Sequence, residues 1–169
     1  MGGKGLLLDY VRKQGNGARD NTDTELNDIN LKGVFDLSAE HQLIARANYY
    51  AEDSNVTYSG LTDAEYANFG ARYNPFKNDE FDAERVGLSL SERWTINPAS
   101  SLTTQVYWAD FSRDWWRQSS STTDGQCGAA FTTARRAGTA VDPDTCASAQ
   151  GRLRDYYTYG VEPRYRLTH

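Results

Sequence analysis

The residues best suited to chemistry fall mostly between the regular stretches of this chain. Cys127 and Cys146 share the longest polar segment, and neither belongs to a Cys-x-x-Cys pair. The only histidines are His41 and His169, so no zinc-ligand set assembles and no metal site is expected. Two cysteines in one exposed loop read as a disulfide formed in an oxidising compartment, worth about 3 kcal/mol in the chain-entropy view. The alternative is a pair of free thiols in a reducing one. There is no Gly-x-Ser-x-Gly, no phosphate-binding Gly-rich loop ending in Gly-Lys-Ser/Thr and no His-Glu-x-x-His. Neither catalysis nor a cofactor is therefore expected.

Arginine is the remaining functional side chain. Arg19, Arg72, Arg113, Arg117, Arg135, Arg136, Arg152 and Arg154 cluster in the polar segments or at their margins. Guanidinium forks hold carboxylate or phosphate bidentately, so this cluster suits an anionic ligand. The plainer reading is a solvated outer surface that meets lipopolysaccharide phosphates or neighbouring aspartates. Arg113, Arg117, Arg135 and Arg136, with Trp115 and Trp116, are the candidate ligand-binding residues on position and chemistry. The two tryptophans would stack on a sugar or a siderophore. Alternatively they belong, with Tyr49, Tyr50, Tyr107, Trp108, Tyr156, Tyr157 and Tyr159, to an aromatic girdle where apolar and wet regions meet.

The elements that must position these residues read as strands. The 169 residues suffice for one domain, and 18 Lys+Arg against 23 Asp+Glu give a net charge of −5, unsuited to a general nucleic-acid binder. Mean hydropathy is −0.73, and no apolar run is long enough for a transmembrane helix. A transmembrane strand survives that test, because only alternate residues meet lipid. Period-two alternation marks six segments: 4–13, 24–37, 42–53, 81–96, 101–115 and 155–167.

In the second segment Ile29, Leu31, Gly33, Phe35 and Leu37 face away from Asp28, Asn30, Lys32 and Asp36. In the fourth, Val86, Leu88, Leu90, Trp94 and Ile96 oppose Arg85, Ser89, Ser91 and Arg93, with Glu92 an exception on the apolar side. The connections alternate medium, short, long, short, long. Thr62-Asp63-Ala64-Glu65 fits a capping box and predicts a short helix inside the first long connection. Short turns on one side and long loops on the other are the sidedness of an outer-membrane barrel. Six strands do not close such a barrel, which begins at about eight. The expectation is therefore an arc of a larger wall.

Several runs carry a resemblance to a known family. Asp9-Tyr10-Val11-Arg12-Lys13-Gln14-Gly15-Asn16-Gly17-Ala18-Arg19-Asp20-Asn21 is similar to a strand and loop of TonB-dependent siderophore receptors. So are Ala47-Asn48-Tyr49-Tyr50-Ala51-Glu52-Asp53-Ser54 and Tyr58-Ser59-Gly60-Leu61-Thr62-Asp63-Ala64-Glu65-Tyr66. Asn74-Pro75-Phe76-Lys77-Asn78-Asp79, Phe81-Asp82-Ala83-Glu84-Arg85 and Phe111-Ser112-Arg113-Asp114-Trp115-Trp116-Arg117-Gln118 complete the likeness, which looks closest to the ferric dicitrate receptors.

The resemblance implies an antiparallel up-and-down transmembrane β-barrel of 22 strands, plugged by an N-terminal domain. Its outer loops bind a ferric chelate, and TonB drives uptake through the plug. Residues 1–169 would be a partial barrel domain, an internal piece without plug or remaining strands, in the outer membrane of a Gram-negative bacterium. Its partners would be a ferric chelate or siderophore, such as ferric citrate, then outer-membrane lipid, and TonB by way of the absent plug. A passive porin segment and a soluble β-sheet carbohydrate-binding module are the alternatives.

Overall fold

The computed structural model describes residues 3–57, 59–118 and 126–168; Tyr58 and His169, named above, and residues 119–125 of the longest connection lie outside them. Seven strands form one antiparallel sheet: β1 (Lys4–Gly15), β2 (Thr24–Asp36), β3 (His41–Ser54), β4 (Glu80–Asn97), β5 (Ser100–Arg117), β6 (Gln150–Gly151) and β7 (Arg154–Leu167). Each long strand lies beside its neighbour in sequence. The two-residue β6 pairs with the end of β5, and β7 pairs with the rest of it. The six expected strands are all present, and β5 runs on to Arg117. The sheet is open, and among the described residues β1 and β7 are its two edges.

The registers turn the alternation into continuous rows, because directly paired residues share a face. One row reads Leu8, Leu31, Ala47, Leu88, Trp108, Tyr159 across six strands. The next reads Leu6, Gly33, Ala45, Leu90, Val106, Val161. Among the described residues nothing covers these rows: Leu6 is 76% exposed, Leu88 52% and Tyr159 78%. The apolar band is edged by Tyr10, Tyr49 and Tyr157 in one row and by Trp94, Leu102 and Tyr165 in another. Beyond the first edge the same face turns acidic, with Glu25, Asp53, Asp82 and Asp114 in one row. Glu92, the exception, is held by His41 Nδ1 at 2.7 Å, and the His41 ring stacks on Trp94.

The buried core lies in the long connections instead of the sheet. Phe76 and Glu65 are fully buried, and Asp79 is 2% exposed. The capping box forms as read: Glu65 N donates to Thr62 Oγ1, Thr62 N donates to Glu65 Oε2, and α1 (Asp63–Phe69) follows. A second helix, α2 (Gly128–Arg136), was not expected, because its run Gly-Ala-Ala-Phe-Thr-Thr-Ala-Arg-Arg has one large apolar residue and no side-chain cap. It forms beside the Cys127–Cys146 disulfide, which closes as expected, and it ends in Arg135 and Arg136, whose charge suits a helix C-terminus.

Candidate functional site

The face opposite the apolar band carries the candidate chemistry. Its parity brings Arg46, Arg85, Arg93, Arg113, Arg154 and Arg164 to one side of the sheet, facing fewer carboxylates, chiefly Asp9, Asp28, Glu52 and Glu162. A chain of net charge −5 thus presents one cationic face, because many acids project from the other face.

Arg113 on β5 and Arg154 on β7 are direct cross-strand partners. Side chains so paired have Cβ atoms about 5 Å apart, and like charges there repel. Arg85 stands one row away on β4, opposite Phe111, with its guanidinium 5.7 Å from the centre of the Tyr50 ring. Among the described residues no ion pair joins Arg85, Arg113 or Arg154 to a carboxylate, and Arg113 Nε is buried without a hydrogen-bond partner. The residue opposite Arg113 on β4 is Ala83, which is itself buried and brings no charge to the pair. Phe111 stacked on Tyr156, with ring centres 5.8 Å apart, forms the next row. Such a set can receive an anion with several oxygens, whose charge would relieve the Arg113–Arg154 repulsion.

The other nominated residues divide by role. Arg117 is 4% exposed, and its guanidinium lies 4.8 Å from the Trp115 ring, which also meets Phe81 edge-on. Arg135 is enclosed by Glu65, and Arg136 is exposed on α2. Trp115 and Trp116 are adjacent in a strand and project to opposite faces, so they do not form one stacking platform. The expected girdle divides the same way. Tyr49, Trp108, Tyr157 and Tyr159 belong to the apolar face, whereas Tyr50, Tyr107 and Tyr156 stand on the arginine face.

Arg19 and Arg72 serve the loops. Arg19 Nη1 donates to Ser59 O at 2.7 Å, and Arg72 Nε lies 3.3 Å from Asp20. Asp79 receives Gln118 N–H at 2.7 Å. Burial pushes its carboxyl above the ordinary carboxylate range, against the opposing pull of that hydrogen bond, of Thr57 and of Arg117. Asp144, exposed, is held below that range by the Asn78 hydrogen bond and by Lys77.

Sequence reasoning missed Arg85 and the pairing of Arg113 with Arg154. The alternation of β4 put Arg85 on the polar face, but only the register shows which arginines meet. No known protein family, curated protein or solved structure matches the chain.

Proposed function

We propose that this chain is a wall segment of an outer-membrane receptor that takes up a ferric chelate, with the energy for passage supplied through TonB and a plug domain. The observation that carries the reading is the pair of faces. Apolar rows far more exposed than a soluble sheet tolerates back a polar face on which, among the described residues, Arg85, Arg113 and Arg154 have no carboxylate partner. The band from Val86 to Trp94 covers about 27 Å of strand at about 3.4 Å per residue, hence about 21 Å of height at a tilt of 40°. That is close to the roughly 25 Å apolar girth of bacterial barrels.

The arginine face suits an anionic cargo, and ferric citrate has the carboxylates that guanidinium forks grip. The resemblance of Phe111-Ser112-Arg113-Asp114-Trp115-Trp116-Arg117-Gln118 to the ferric dicitrate branch supports the same cargo. Arg113→Ala and Arg154→Ala in the full receptor are expected to reduce chelate uptake under iron limitation at least tenfold each, while receptor abundance in the membrane stays constant. Unchanged uptake with both replaced removes this site.

A further inference from the structure

The two longest connections share one core. Glu65, in the connection between β3 and β4, receives Arg135 Nε at 2.7 Å on Oε1 and Arg135 Nη2 at 3.0 Å on Oε2. Arg135 belongs to α2, in the connection that follows β5. Its Nη2 also donates to Gly60 O at 2.9 Å, while Thr62 Oγ1 donates to its main-chain oxygen at 3.0 Å. The Phe76 ring lies 4.8 Å from the Arg135 guanidinium and 5.6 Å from the Phe131 ring. Asn68 Nδ2 to Gly138 O and Val141 N to the Tyr73 hydroxyl extend the seam.

A buried ion pair left with one member is strongly destabilising. Helices of 7 and 9 residues are too short to persist alone in water. Each helix therefore depends on the other. The joined connections also lean to one side. At the level where they meet the sheet, Ser54, Ala83 and Arg117 of the arginine face are buried. Asp53, Asp82 and Asp114 of the other face, at the same level, are exposed.

We propose that stretches 59–79 and 126–149 of these connections form one cooperative cap over the arginine face, latched by Glu65 and Arg135, which opens as a single body and not as two independent flaps. Its existence does not rest on the proposed transport function; only its meaning as a gate for the anion does.

The test is amide hydrogen exchange on the full 169-residue chain folded in detergent micelles, comparing Glu65→Gln and the milder Phe131→Leu with the parent. Glu65→Gln is expected to accelerate exchange about a hundredfold in both 63–69 and 128–136, by matching factors, with β2 and β3 unchanged. Phe131→Leu should produce a smaller but again matching change in the two helices. Unequal factors, a response confined to the substituted connection, or loss of protection throughout the sheet would each overturn the proposal.

Discussion

Leu90→Arg probes what the apolar face meets. Leu90 lies midway between the edges marked by Val86 and Trp94, and it is 41% exposed. Val86 is four residues away, about 14 Å along the strand and about 10 Å in depth at a tilt of 40°. In a bilayer, arginine at the midplane costs about 2–4 kcal/mol and near the interface about 0–1 kcal/mol. Leu90→Arg is therefore expected to cost several times what Val86→Arg costs. Gln105→Arg, at nearly the same level on the opposite face and paired there with Ser91 and Glu162, should cost nearly nothing. If water bathed both faces, all three would fall within about 0.5 kcal/mol of the parent, as surface substitutions do. Denaturant titration of the protein refolded into lipid vesicles measures each value. Three equal costs, whatever their size, would refute the lipid-facing assignment, because depth separates Leu90 from Val86 and face separates Leu90 from Gln105.

Four further outcomes follow from the contacts. Arg113→Glu turns the repulsive pairing with Arg154 into an ion pair and should stabilise the sheet by about 0.5–1 kcal/mol while lowering retention of an anionic chelate, as measured by unfolding and chelate binding in parallel. Cys127→Ser should cost the cap about 3 kcal/mol with strand protection preserved, read by hydrogen exchange at α2. Phe76→Ala, at a fully buried site, should cost about 3–5 kcal/mol and melt α1 and α2 together in thermal scans followed by exchange. For Asp79 the folded carboxyl sits above its unfolded value, so its contribution is complete at low pH and is lost as pH rises through the folded pKa. Asp79→Asn should therefore firm the cap at neutral pH and flatten its pH dependence between acid and neutral, while an unchanged profile would contradict the burial argument.

The sheet was legible in the sequence because apolar and polar residues alternate along each strand and so mark its two faces. Leu43, Ala45, Ala47 and Tyr49 against Arg46, Asn48 and Tyr50 left one choice of face, and the register honours it. Thr62 and Glu65 announced α1 for an equally local reason, since both halves of a capping box sit within one turn. The cap was not legible. What makes α2 a helix is the burial of Phe131 and Arg135 against Phe76 and Glu65, residues far off in sequence that no periodicity connects. The stacking platform was not decided by the sequence either: Trp115 and Trp116 are neighbours on paper, and the pleat sends them apart. Charge segregation hid behind the sum, because a formal charge of −5 averages over two faces of opposite character.

Glu65 and Arg135 are 70 positions apart, and closing a coil of that length costs about 4 kcal/mol of chain entropy. The intervening hairpin removes most of that distance. Its turn needs only Pro98 and Ala99, with Ala99 N donating to Asn97 Oδ1, and once it zips, Glu80 arrives opposite Trp116. The expected order of assembly is strands first, helices last. Anything that retards the hairpin, such as a substitution at Asn97, should delay closure of the distant helices by the same interval, although it touches neither of them.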